Sequence, residues 1–255
     1  AAAPIVLVSA LLLASATAAA QTAPYRDPRL PVEQRVRDLS GRMTLEEKFW
    51  QTFMIPGDLD DPAHDYSKGV FGLQISVGPT GDARGHARRI NDIQRHFVER
   101  TRLGIPIIPF EEALHGLARE GATVFPQAIA LAATWDTAVV SQVFTAAARE
   151  TRSRGIRQAL SPVVNIASDP RWGRVEETYG EDPYPSTLMG NAFVRAFERS
   201  GVVATPKHFV ANVGEGGRDS YPIDLSERFL EEVHFPPFES AVKSAGARSI
   251  MTAYN

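Results

Sequence analysis

Arg102 to Gly116 reads RLGIPIIPFEEALHG, and the way its apolar run breaks into polar residues decides how the rest of the chain is read. Ile105 to Phe110 is apolar on consecutive rather than alternate positions, the mark of a strand buried on both faces of a parallel sheet. Glu111, Glu112 and His115 follow it at once. Working outward, the same figure recurs. Val70 to Val77, Ala159 to Ile166, Val202 to Thr205 and Ser249 to Ala253 are short Val- and Ile-rich runs. Asp169, Arg171 and Arg174 follow the Ala159 run, Lys207 and His208 the Val202 run, and Tyr254 and Asn255 the last.

Between these runs the spacing predicts helices over Ala83 to Thr101, Asp136 to Arg154, Pro185 to Arg199 and Ser226 to Ala245. Two shorter ones are expected over Val32 to Met43 and Thr44 to Thr52. Thr44 and Glu47 stand at capping-box spacing, with hydroxyl and carboxylate placed to satisfy first-turn amides. Strand-then-helix units of this kind suit a (β/α) barrel or a doubly wound sheet, and periodicity does not choose between them. The polar clusters do. In a barrel the reactive groups gather at the C-terminal ends of several strands, because that rim carries the loops. No GxGxxG or GxxxxGK loop opens a helix, so a nucleotide-dependent enzyme on a doubly wound sheet lacks its anchor and no cofactor is expected.

Composition narrows the function classes. With 44% hydrophobic and 22% charged residues, the 255-residue chain has ordinary globular usage. Its formal charge of −3, without a Lys/Arg run, gives no support to a nucleic-acid surface and suits a neutral ligand. The absence of cysteine rules out disulfides, thiolate nucleophiles and Cys-ligated metals within these residues. His115, His208 and His234 have no H-E-x-x-H or similar spacing, so a metal site is not expected. Pro4 to Ala20, PIVLVSALLLASATAAA, is an apolar stretch of signal-peptide length ending in an A-x-A arrangement at Ala18 and Ala20. It is short for a membrane span of ~20 residues. The expected organisation is a signal peptide over 1–20 and one continuous domain over 21–255, with a periplasmic or extracellular location and no membrane insertion after signal removal. An alanine-rich buried helix is the alternative for the leader.

RLGIPIIPFEEALHG, SPVVNIASDPRWGRVEETYGEDPY (Ser161 to Tyr184), KHFVANVGEGGRDS (Lys207 to Ser220) and MTAYN (Met251 to Asn255) occur in the order and at the separations of the glycoside hydrolase family 3 signatures, and the chain resembles that family from the leader onward. The resemblance implies an N-terminal (β/α)8 TIM-barrel-like domain, incomplete at its C-terminal end, and retaining hydrolysis of terminal non-reducing β-D-glycosyl residues. The partner would be a β-linked oligosaccharide or glycoside. Such chemistry passes through an oxocarbenium-like transition state and needs two carboxyl groups ~5–5.5 Å apart. The family places the nucleophilic Asp beyond MTAYN and the acid/base Glu in a following domain, so no catalytic residue is expected here; this part supplies the grip on the sugar.

By the same resemblance Glu112, Arg174, Lys207, His208, Arg218 and Tyr254 bind substrate. Carboxylates accepting from hydroxyls and cations donating to them are the charge-assisted bonds that such a grip needs. Glu112 stands where the family usually has Asp. Its extra methylene would crowd a C6 hydroxymethyl group, as in the β-xylosidase branch, which favours a pentose over glucose. Each residue also has a plainer reading: Glu112 as a solvated carboxylate, Arg174 as the partner of Glu176, Glu177 or Glu181, Arg218 as a loop ion pair, Tyr254 as strand-end packing. Arg171 and Trp172 are expected to brace the loop. The loop KHFVANVGEGG lacks the second His of the N-acetylhexosamine-cleaving members, which disfavours that activity. A carbohydrate-binding pseudo-enzyme, with the pocket kept and the chemistry lost, is the alternative from another class.

Overall fold

The computed structural model describes residues 23–75, 82–214 and 222–255. The proposed leader lies outside the described residues, and so does Arg218. The chain divides into two compact units, 1–48 and 49–255.

In the first unit, helix α1 (Val32–Arg42) is tied to the preceding turn. Asp38 Oδ2 accepts from Tyr25 N, and Arg35 Nε donates to Tyr25 O. The capping box at the start of α2 (Leu45–Trp50) forms as its spacing predicts: Thr44 N donates to Glu47 Oε2 at 2.8 Å and Glu47 N to Thr44 Oγ1 at 3.2 Å.

The second unit is built on a five-stranded sheet, β1 (Met54–Pro56), β2 (Gly72–Gln74), β3 (Ile108–Glu111), β4 (Gln158–Ala159) and β5 (Val203–Ala204). Every neighbouring pair is parallel and the spatial order is the chain order, β1-β2-β3-β4-β5. A doubly wound sheet reverses its order at a switch point; a barrel does not. Beyond β5, Phe209 pairs in parallel with Thr252, so Ser249 to Ala253 lies where the next strand of a barrel would, held by a single bridge rather than a ladder. Gln158 ties the three positions together, donating to Thr205 Oγ1 at 2.9 Å and Ser249 Oγ at 3.2 Å.

Of the helices α3 (Ala83–Arg100), α4 (Ala128–Ala132), α5 (Thr137–Ser153) and α6 (Pro183–Arg199), all but α4 begin where an Asp side chain caps them. Asp82, Asp136 and Asp182 accept from first-turn amides of α3, α5 and α6. Two cores result. Ile90, Ile93 and Phe97 of α3 pack with Leu73, Ile107 and Ile156, and Phe144 of α5 meets Phe193 and Phe197 of α6. Gly72 has no room for a side chain, since a Cβ there would lie 2.8 Å from Ile108 O on the adjacent strand.

Ser226 to Ala245 departs from the single helix expected. A three-residue turn, α7 (Glu227–Phe229), passes through a π-helical stretch at Leu230–His234 into α8 (Phe235–Lys243). Pro236 and Pro237 lack the amide hydrogens that an uninterrupted α-helical ladder would need there. The strands are also shorter than their apolar runs, and the periodicity does not predict β1. Among the described residues no helix is long and apolar enough to cross a membrane.

Candidate active site

The C-terminal ends of β3, β4 and β5 carry the polar residues to one place. Glu112 follows β3 directly. Its Oε1 accepts from Lys207 Nζ at 2.6 Å and its Oε2 from Ser161 Oγ at 3.1 Å, while Ser161 Oγ accepts from Ala113 N. Lys207 lies beside Val163 in a parallel bridge past the end of β4. The ion pair is asymmetric: the Lys207 side chain is 3% exposed and that of Glu112 34%. Burial pushes the Lys207 ammonium below its usual pKa and Arg174 adds repulsion, with Glu112 and Glu177 pulling the other way. Its carboxylate contact keeps this lysine an ion-pair partner.

Arg174 is the second cation and is 5% exposed. Its Nε and Nη2 donate to the two oxygens of Glu177, each at 2.7 Å, in the bidentate geometry that guanidinium and carboxylate share. Its Nη1 donates to His208 Nε2 at 3.2 Å. The pairing with Glu177 is therefore real, and it aims the guanidinium at His208. Asn165 sets the imidazole. Asn165 Nδ2 donates to His208 O, and Asn165 Oδ1 accepts from both His208 N and His208 Nδ1. An acceptor on that side puts the ring proton on Nδ1 and leaves Nε2 as the acceptor facing Arg174. Tyr254 stands next to it with ring centroids 5.2 Å apart, half-exposed, its hydroxyl 3.9 Å from Met251 Sδ.

Four of the six expected site residues thus meet in one cluster, Glu112 with Lys207 and Arg174 with His208, and Tyr254 joins at its edge. Two cations face two carboxylates, a charge-balanced wall that donates and accepts at fixed points. That is the chemistry for a neutral polyol, not for an anion. Arg171 is outside it, in an exposed ion pair with Asp169. Trp172 is buried, with the Arg174 guanidinium 5.8 Å from its ring, and braces the loop. Among the described residues no group of three or more His, Asp or Glu is arranged to hold a metal ion.

The sequence reading missed the frame behind these residues. Ser161 and Asn165, both buried, are small polar interruptions of the apolar run SPVVNI, and a polar residue inside a buried strand signals a hydrogen-bonding duty. Glu111, 1% exposed, is a second such case. It accepts from Gln74 Nε2 at 3.0 Å, from the Arg119 guanidinium and from Glu112 N. Burial raises its pKa, with Gln74 and Arg119 opposing. Gln74 interrupts the apolar run of β2 in the same way.

Comparison with known proteins bears on the family and the fold. Residues 44–255 match the Glycosyl hydrolase family 3 N terminal domain. A β-xylosidase of Formosa agariphila is 43% identical over 168 residues, 60% of this chain and 23% of that protein. A periplasmic β-glucosidase of Salmonella typhimurium is 31% identical over 86% of this chain and 29% of its own length. The solved structure of a β-glucosidase from Erythrobacter marinus superposes with a TM-score of 0.81 at 36% identity, over 91% of this chain and 33% of that one. The chain thus spans no more than a third of the length of any of these three proteins. Sequence signatures, strand order and the match across residues 44–255 agree: the chain belongs to glycosyl hydrolase family 3 and carries its N-terminal, TIM-barrel-like domain.

Proposed function

We propose that this chain supplies the pocket for the non-reducing-end sugar in an exported, retaining β-glycosidase that releases terminal β-D-glycosyl residues, xylosyl before glucosyl. The observation that carries the reading is the convergence of Glu112, Arg174 and the adjacent pair Lys207 and His208 from three separate stretches of chain into one charge-balanced cluster at the strand ends. A sugar ring brings several hydroxyls, each able to donate and accept, and such a wall can answer them at once. The relatives named above are a β-xylosidase and β-glucosidases, which supports hydrolysis over a binding-only pseudo-enzyme. The preference for xylose rests on the length of Glu112. Export rests on the leader pattern, with the Salmonella relative named as periplasmic.

The test is hydrolysis of nitrophenyl β-xyloside and nitrophenyl β-glucoside by the full-length protein. The reading expects turnover of both with the xyloside faster, and activity on neither would end it.

A further inference from the structure

A cavity of about 620 Å³ lies on the stretch of chain that carries Arg174 and Glu177, and the glycosidase reading gives it no task. Its walls include Ile129, Trp135, Val175, Tyr179, Glu181 and Asp182. The volume is in the ordinary range for small-molecule pockets, ~300–1,000 Å³. It sits between the N-terminal ends of α5 and α6, and in a barrel helix N-termini share the end where the strand C-termini carry the site. One stretch of chain serves both places. Between Ala167 and Asp182, Arg174 and Glu177 face the cluster, while Val175, Tyr179 and Glu181 line the cavity.

Three observations on those walls point to a ligand. Trp135 is 76% exposed, and its backbone is held at φ 54°, a left-handed conformation in which a bulky aromatic residue is rare. A strained residue that leaves a large apolar ring in water is a reason to look for function. The Tyr179 hydroxyl, on a residue 3% exposed, has no hydrogen-bond partner among the described residues. Glu181 is exposed and among the described residues has no ion-pair partner, and the neighbouring Asp182 caps α6 through one oxygen only. An aromatic face with carboxylates beside it matches a pyranose, which has apolar C–H faces and a rim of hydroxyls.

We propose that this cavity is a second sugar subsite, stacking a pyranose of the substrate chain other than the terminal one on Trp135 and hydrogen-bonding it through Glu181 and Asp182. The proposal rests on the glycosidase reading and assigns that enzyme a preference for longer substrates.

The experiment compares the wild-type full-length protein with Trp135→Ala and Glu181→Gln on two substrates: the better nitrophenyl β-glycoside and a β-1,4-linked hexasaccharide of the same sugar. A wild type that hydrolyses neither removes the glycosidase reading and this inference with it. With an active wild type, the expected result is a kcat/KM on the hexasaccharide lowered about 2- to 10-fold in each variant, the range an aromatic contact commonly contributes, with the nitrophenyl substrate unchanged. Equal kinetics on both substrates overturn it. So does a loss on both with a lowered Tm in Trp135→Ala, which would show that another part of the protein packs in the cavity.

Discussion

The Glu112–Lys207 pair is asymmetric, and the asymmetry makes a stability prediction with a sign. Glu112→Ala strands the Lys207 ammonium, 3% exposed, in the barrel mouth without its carboxylate. Removing one partner of a buried pair costs about 3–5 kcal/mol because the remaining charge is uncompensated. Lys207→Met strands instead a carboxylate whose side chain is 34% exposed and still accepts from Ser161 Oγ. Water and that hydroxyl reduce the cost to about 1–2 kcal/mol. Glu112→Ala should therefore be the less stable variant by about 2 kcal/mol, or about 4–8 °C in Tm for a domain of this size.

A pH series identifies the cause. The folded-state pKa of Lys207 is already below its ordinary 10.5 and falls further when Glu112 is gone. Between that lowered value and 10.5 the unfolded chain binds the extra proton, so stability rises with pH through that window. The deficit of Glu112→Ala should shrink between pH 7 and pH 10, while that of Lys207→Met should not. Urea denaturation of both variants at the two pH values measures this. Equal losses, or a larger loss in Lys207→Met, would refute the reasoning.

Three further outcomes are expected. Phe193→Ala, at a fully buried ring 4.3 Å from Phe197 and 4.4 Å from Phe144, should lower unfolding stability by about 3–5 kcal/mol in a denaturant titration. His86 and His234 are buried with pKa values lowered by burial, so acidification below 6.5 protonates the unfolded chain first and stability falls with pH; His234→Phe should show a shallower fall between pH 7 and pH 5.5. Glu112→Asp, one methylene shorter, should shift the nitrophenyl glucoside-to-xyloside ratio of kcat/KM toward glucoside by about 10-fold or more, and an unchanged ratio would remove Glu112 from specificity.

The parts of this protein legible in its sequence are those fixed locally. Asp82, Asp136 and Asp182 announce helix starts because each satisfies amides two or three residues on, and the Thr44–Glu47 box forms as spaced. Strand β1 was illegible because Met54–Pro56 is three residues long, ends in proline and is defined by its pairing with β2, far along the chain. The chemistry-bearing residues Glu112, Arg174, Lys207 and His208 could be named from motifs. Their supports Ser161 and Asn165 could not, since hydrogen bonds such as Asn165 to His208 join residues 43 positions apart, whereas Glu177, three residues from Arg174, is one of the local partners the sequence offers. The proline pair at 236–237 carried a visible warning that Ser226 to Ala245 would not be one regular helix.

The most direct test of the central claim is a crystal structure of the full-length protein with D-xylose bound. The expected result is one sugar ring with hydroxyls within hydrogen-bonding distance of Glu112, Lys207, Arg174 and His208 together. A xylose bound elsewhere, with those four side chains turned only toward one another, would contradict it.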